Sequence, residues 1–173
     1  MKRSEIVQMP EYFDRYINKT DDVDHMEALK ISLREIDEMP LEKFRALGDK
    51  VYAPGKWTIK EILQHMIDTE RVFTYRAVAF ARGETGQVLS FDEDLYAKNS
   101  GANRRTLEEL VEEMKLVRRS MIALYASFTN EMLQRSGNGF RGAYSVLSIA
   151  FIMAGHQRWT MDVIRERYLP LVK

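Results

Sequence analysis

The feature that most constrains this 173-residue chain is the spacing of its apolar residues, which repeat with the period of an α-helix in four long segments. The predicted helices cover residues 23–39, 58–82, 106–128 and 145–170. Alternating patterns typical of strands are absent, and there is no internal repeat. Four amphipathic helices of this length pack most simply as a four-helix bundle, so the sequence predicts an all-α fold.

Capping signals support the starts of two of these helices. Thr58 is followed three residues later by Glu61, and Thr106 by Glu109, the pattern of a capping box. The connection between the second and third helices, residues 83–103, is long for two antiparallel neighbours. We therefore expect this second connection to cross over the bundle.

Composition excludes several classes of function. The sequence has no cysteine, which rules out disulfides, thiolate nucleophiles and cysteine-based metal sites. Its 26 basic residues are balanced by 26 acidic ones, interleaved along the chain, which argues against nucleic-acid binding. No apolar run approaches the length of about 18 residues that marks a membrane-spanning helix, and the N-terminus lacks an apolar signal segment. We expect one cytoplasmic domain over residues 1–173, with neither nucleic acid nor membrane as partner.

Several polar residues fall on the faces that should be apolar. At about 100° per residue, Glu70 lies near the middle of the core face of the second helix, and His65 lies at its margin. On the fourth helix, His156, Thr160 and Arg167 project toward the core. Bundles commonly place metal and ligand sites among such residues. The alternative is a structural ion pair with hydrogen-bonded core histidines, and spacing alone leaves both interpretations open.

A buried carboxylate needs a cationic partner, because an unpaired buried charge is costly. For Glu70 the candidates on the helical faces are Arg76 and Arg167. The short basic runs at residues 104–105 and 118–119 are interpreted as solvated helix surface. The third histidine, His25, is expected to face solvent in the first turn of the first helix, and Phe151 is placed on the outward side of the fourth.

Two further segments carry weaker signals. FDEDLY, residues 91–96, supplies three carboxylates within the second connection. Asp92 or Asp94 of this segment could line a pocket mouth or provide an oxygen ligand, although a solvated acidic loop is the preferred interpretation. The stretch GNGFRG, residues 137–142, lacks the preceding strand and the Lys-Ser/Thr of a phosphate-binding loop, so it is interpreted as a connecting loop.

The second helix, the acidic segment and the fourth helix together resemble a known family. The motifs are YAPGKWTIKEILQHMIDTERVFTYRAVAFARG, FDEDLY and AGHQRWTMDVIRERYLP, in that order. They are similar to the DinB-like superfamily of small bacterial proteins, which includes the YfiT-type metal-dependent hydrolases. This resemblance implies a four-helix bundle of up-down-down-up topology, and it implies a homodimer.

The resemblance also implies a metal site. Family members hold one divalent ion, zinc or nickel, with one histidine from the second helix and two, four residues apart, from the fourth. His65 matches the first ligand and His156 the second, but the third position is Thr160 and the residue before it is Trp159. Glu70, Arg167, Trp159 and Asp92 are the expected pocket residues around this incomplete site.

Two functions remain open on these grounds. One is a metal-dependent hydrolase or thiol-transferase-type enzyme that acts on a small-molecule ligand through an incomplete histidine site. The other is a non-catalytic, metal-free pocket or dimerisation module derived from that family. A catalytic zinc usually keeps three protein ligands, so the identity of Thr160 is what separates the two.

Overall fold

The structure, a computed structural model, describes residues 1–139 and 141–172. In chain order its helices are α1 (Asp14–Ile17), α2 (His25–Asp37), α3 (Leu41–Leu47), α4 (Ile59–Ala81), α5 (Glu93–Asn99), α6 (Leu107–Tyr125), α7 (Asn130–Gln134) and α8 (Val146–Val163). Strands β1 (Ser136–Gly139) and β2 (Gly142–Ser145) form an antiparallel hairpin, and short 3₁₀ turns cover Arg3–Glu5, Ala102–Arg104 and Leu169–Leu171. No helix in the described part of the chain has the length and hydropathy needed to cross a bilayer.

The four long helices α2, α4, α6 and α8 are those that the apolar period predicts. Each begins at a side chain that accepts a hydrogen bond from the first turn: Asp24, Thr58, Thr106 and Ser145. Both predicted capping boxes are present. Each of these caps satisfies backbone N–H groups that would otherwise lack a partner, which fixes where the helix starts.

The second connection returns along the full length of α4. It leaves α4 at Gly83 and ends beside the start of the same helix, where the Thr58 hydroxyl donates to Asn103 Oδ1 at 2.7 Å and Asn103 Nδ2 donates to Glu61 at 3.1 Å. Helix α6 therefore starts next to the start of α4 and runs parallel to it. The expected crossover is confirmed.

The remaining directions follow from contacts at the helix ends. Tyr168, just after α8, donates to the carbonyl of Trp57, just before α4, so these two helices are antiparallel. Asp37 at the end of α2 pairs with Lys115 early in α6, while Ser32 meets Arg118 further along, so α2 and α6 are antiparallel. Together these directions give the predicted up-down-down-up four-helix bundle.

The core consists of two apolar clusters stacked along the bundle. One is centred on residues such as Phe73, Met121 and Phe151, and the other on residues such as Ile62 and Met114. Each of α2 and α4 packs against both α6 and α8, so all four helices contribute to both clusters. Between the clusters lies a layer of buried polar residues, which includes Ser32, Glu70, Arg118 and Gln157.

Two local features differ from the sequence prediction. The stretch at residues 137–142 was predicted to be a loop, but most of it pairs as β1 and β2, with Gly137 opposite Tyr144; Phe140 lies outside the described residues. A side chain at Gly137 would collide with the ring of Phe80, which explains why glycine stands there. The second difference is at the end of α8, where residues Ile164–Tyr168 form a π-helical turn.

Candidate functional site

His65 on α4 and His156 on α8 face each other across the bundle. Their Nε2 atoms are 3.3 Å apart and their ring planes are nearly perpendicular. The Nδ1 atom of His65 lies 3.4 Å from the Thr69 hydroxyl one turn later, and the Tyr16 ring packs edge-on against His156. The helical phase of the sequence predicts that both histidines lie toward the core, and the structure brings their free nitrogens together.

Both imidazoles are neutral at physiological pH. Burial lowers the pKa of His65 to about 4, against an opposing effect of the Asp94 carboxylate. Burial also lowers the pKa of His156 to about 3, and the neighbouring His65 and the Arg118 guanidinium lower it further. A neutral imidazole is the form that binds a metal ion, and it is also the form in which one Nε2–H can donate to the other Nε2.

The histidine pair lies in the wall of an open cavity of about 300 Å³. Thr160 and Trp159 line the same cavity, and so does Asp94, which the sequence analysis names as a possible pocket-mouth residue. The further lining residues, which the sequence analysis does not name, include Tyr16, Tyr52, Trp57 and Glu93. The walls are therefore largely aromatic, with carboxylates at one side. This combination of an apolar lining with a few convergent polar groups is typical of small-molecule sites.

The separation of the two histidine nitrogens can be compared with that of two ligands of a tetrahedral ion. Imidazole nitrogens bound to one zinc ion at about 2.0–2.1 Å lie roughly 3.3–3.4 Å apart, which matches the distance between the Nε2 atoms of His65 and His156. The third position of the family pattern is Thr160, which lines the cavity but offers only a neutral hydroxyl. Among residues 1–139 and 141–172, no three His, Asp or Glu side chains are grouped so that they could hold one ion.

Glu70 belongs to a separate structure, a polar layer formed by one residue from each long helix. Arg118 Nε donates to Glu70 Oε1 at 2.6 Å and its Nη2 donates to Oε2 at 3.0 Å, while Nη1 donates to the Ser32 hydroxyl. Gln157 Nε2 completes the layer by donating to the Ser32 carbonyl at 2.7 Å. The prediction that Arg76 or Arg167 neutralises Glu70 is wrong, and so is the prediction that Arg118 is solvated surface, because Arg118 is only 2% exposed.

Three other sequence predictions are wrong for identifiable reasons. Arg167 is exposed and does not line the cavity, since it falls in the π-helical turn, where the longer period rotates side chains away from the α-helical phase. Phe151 is fully buried rather than outward, because α8 is surrounded by the rest of the bundle. His25 is buried against the chain terminus, with its Nδ1 3.0 Å from the Met1 nitrogen.

The acidic segment contributes to the cavity through residues other than the expected one. Asp92 is the N-cap of α5, where it accepts from the Leu95 N–H at 3.0 Å, and it lines a neighbouring cavity instead. Glu93 and Asp94 reach the histidine cavity. The pKa of Glu93 is raised by partial burial and then by the charges of Asp94 and Asp92. The surroundings of Glu93 therefore favour its protonated form.

Comparison with known proteins agrees with this architecture. The family described as the DinB superfamily matches residues 25–158, a span that includes both histidines. Among solved structures the chain is similar to YfiT from Bacillus subtilis, described as a probable metal-dependent hydrolase with an unusual four-helix bundle topology. The two share 16% sequence identity with a TM-score of 0.68, over 95% of this chain and 90% of that one. A search of curated proteins gives no significant match.

Proposed function

This chain belongs to the DinB superfamily, and from that premise we propose that its histidine cavity binds a divalent metal ion through His65 and His156 and serves metal-dependent hydrolysis of a small molecule. The observation that carries the proposal is the 3.3 Å separation of the two Nε2 atoms. That separation matches two ligands of one tetrahedral ion. The similarity to YfiT supports the fold, and the description of that protein as a hydrolase suggests the reaction class.

The two imidazoles suit this role electronically. Because burial holds the pKa values of His65 and His156 at about 4 and about 3, neither needs to lose a proton before it binds a cation at neutral pH. The chemistry that a divalent ion supplies when bound is Lewis-acid activation of an oxygen. With only two protein ligands, more than one coordination position would stay open to solvent or substrate, and we expect zinc or nickel to bind more weakly than at a three-histidine site.

The remaining cavity residues can bind substrate and move protons. The rings of Trp57 and Trp159 form apolar walls near the two histidines, which favours a substrate with an apolar part. Glu93 and Asp94 supply carboxylates on the same cavity. Since burial and the neighbouring carboxylates raise the pKa of Glu93, Glu93 is the group that we expect to exchange a proton with the reacting molecule.

Metal content and metal-induced stabilisation test this proposal. The untagged protein should gain thermal stability with zinc or nickel chloride, and His65→Asn with His156→Asn should remove that gain. His25→Asn is the matched control, because it alters the remaining histidine of the chain at a position away from the cavity. A stoichiometry near zero by inductively coupled plasma mass spectrometry, with no metal-dependent change in melting temperature, would contradict the proposal.

A second candidate function is favoured by Thr160 and by the direct contact of the histidines. In a metal-free binding module, one neutral imidazole donates to the other and the pair shapes the pocket. The same double asparagine variant separates the two candidates. It would then change stabilisation by an organic ligand while leaving metal content, already negligible, unaltered.

Three broader expectations remain part of the proposal. The family resemblance suggests a homodimer, and the interleaved charges and absence of cysteine suggest a cytoplasmic protein. We also treat residues 1–173 as one domain, since both apolar clusters draw on all four long helices. Light scattering coupled to size-exclusion chromatography tests the dimer: a mass near twice 20.3 kDa is expected, and a concentration-independent monomer would contradict it.

A further inference from the structure

A second cavity of about 340 Å³ lies beside the histidine cavity and contains a buried arginine. The two cavities share Glu93 and Asp94, so the N-terminal end of α5 separates them. Arg76, on α4, lies in the wall of the second cavity and is only 2% exposed. A guanidinium is always charged, so a positive charge is buried here at any physiological pH.

Arg76 is only partly hydrogen-bonded by the described residues. Its Nη2 atom donates to the carbonyl of Leu89 at 2.7 Å, but its Nε atom is buried without any hydrogen-bond acceptor. In the described part of the chain, no carboxylate forms an ion pair with it, in contrast to Arg118 and its partner Glu70. An uncompensated buried charge is strongly unfavourable. The guanidinium therefore has the capacity to hold an anion that the chain itself does not supply.

The groups that do contact Arg76 are neutral. Its guanidinium carbon lies 4.7 Å from the centre of the Phe73 ring, an arrangement that stabilises a cation without neutralising it. The Tyr144 hydroxyl has no hydrogen-bond partner of good geometry, but it lies so near Arg76 that the guanidinium charge and a side-chain hydrogen-bond interaction with Arg76 both oppose the increase of its pKa by burial. Tyr144 thus stays protonated, and a protonated phenol leaves the net charge at Arg76 unchanged.

The walls of the second cavity limit which anion can bind. Aromatic side chains form the walls: Tyr12, Phe13, Phe73 and Phe91. Arg141, also in the wall, lies 5.1 Å from the centre of the Tyr12 ring. The carboxylates of residues 92–94 also line this cavity, and they repel ions of high negative charge. The environment therefore suits a single negative charge attached to an apolar body.

We propose that this second cavity is a binding site for an organic monocarboxylate, with its carboxylate paired to Arg76 and its aromatic or hydrocarbon body against Phe13, Phe73 and Phe91. Arginine presents a planar fork of donors that matches a carboxylate, which makes it well suited to this role. The inference goes beyond the proposed hydrolase activity and does not rest on it, because none of its residues is a proposed metal ligand.

Sodium benzoate is the probe, and benzamide is its neutral counterpart. Benzoate should raise the melting temperature of the wild-type protein saturably, by roughly 5–10 °C at about one hundred times its Kd. Neither benzamide nor inorganic phosphate should do so, since the first lacks the charge and the second carries too much. Equal shifts with benzoate and benzamide, no saturable shift with benzoate, or an equal shift with phosphate would each overturn the proposal.

Two variants locate the site. Arg76→Met should melt at or above the wild-type temperature without ligand, because it removes an unpaired buried charge, and it should lose the response to benzoate. Should Arg76→Met fail to fold, Arg76→Lys keeps the charge but not the fork, and its benzoate affinity should fall at least about tenfold. Undiminished benzoate binding in either variant would overturn the proposal. The double variant His65→Asn, His156→Asn should bind benzoate like the wild type, which separates this site from the proposed metal site.

Discussion

Two polar pairs lie within this bundle and have opposite characters, although each has one member on α4. Glu70 and Arg118 form an ion pair whose atoms are enclosed and hydrogen-bonded within the protein. His65 and His156 contact each other through one long Nε2–Nε2 contact of 3.3 Å, and both border a cavity that opens to solvent. The difference teaches that burial of a polar residue does not by itself indicate function. The more informative observation is whether neighbouring side chains already satisfy all of its hydrogen bonds and its charge.

The ion pair should respond most strongly to mutation. Glu70→Ala leaves the Arg118 guanidinium buried without a partner, so we expect the free energy of unfolding to fall by about 3–5 kcal/mol. Urea unfolding at pH 7 measures this change. The matched control is Glu27→Ala, which removes an exposed ion pair with Arg34 and should cost less than about 1 kcal/mol. Equal effects of the two variants would contradict the structural role of Glu70.

The histidine pair should instead make stability depend on pH. The folded pKa values of about 4 and about 3 lie below the ordinary value of 6.5, so the unfolded chain takes up protons first as pH falls. The stabilisation is complete above pH 6.5 and is lost between pH 6.5 and the folded values, with a slope of up to about 1.4 kcal/mol per pH unit for each histidine.

The variant His65→Asn, His156→Asn isolates this contribution. Urea unfolding measured from pH 7.5 down to pH 4.5 should show a shallower loss of stability in the variant than in the wild type. His25, whose pKa is also lowered by burial, is unchanged in both proteins and so does not affect the comparison. Identical slopes would mean that the two histidines are not held neutral by the fold.

Completing the site by mutation should affect metal affinity more than stability. Thr160→His places a third imidazole one turn after His156 on the same cavity wall, and zinc affinity measured by isothermal titration calorimetry should rise at least about tenfold, equivalent to about 1.4 kcal/mol. Thr160→Asn, which adds volume without an imidazole, is the control. If both variants bind zinc like the wild type, the two existing histidines are not arranged around a metal position.

The smallest effect is expected at Arg167, which the sequence places in the core and the structure places in solvent. Arg167→Ala should change the free energy of unfolding by no more than about 0.5 kcal/mol, as is usual for an exposed position. Zinc affinity should not change either. A loss of stability of several kcal/mol would show that the side chain is buried and would contradict the π-helical end of the last helix.

The sequence predicted the bundle well because α2, α4 and α6 each bury one apolar face, so their period is visible. Helix α8 is different, because its first half is buried on nearly all sides. A single apolar face along the helix therefore does not indicate that Phe151 is buried. The sequence places Arg167 on the wrong face because residues 164–168 form a π-helical turn, and the spacing of apolar residues does not reveal such a turn. By contrast, the position of Arg118 was readable, because it follows Met114 by four residues and precedes Met121 by three on the core face of α6.

The candidate site was predictable only in part. The positions of His65, His156, Thr160 and Trp159 on the helices follow from period and family resemblance, and all four line one cavity. The contribution of Glu93 and Asp94 depends on how the second connection folds back over α4, which sequence spacing does not determine. The partner of Glu70 likewise depends on which helices are neighbours, so sequence spacing does not indicate the residue on α6 that pairs with it.

The most direct test of the central claim is an anomalous difference map at the zinc edge, from crystals of the untagged protein grown with zinc. We predict a peak between the Nε2 atoms of His65 and His156, within about 2.0–2.1 Å of each, and no such peak in the double asparagine variant. A wild-type map without density at that position, with the two imidazoles hydrogen-bonded directly to each other, would contradict the account and leave the metal-free pocket as the function of this site.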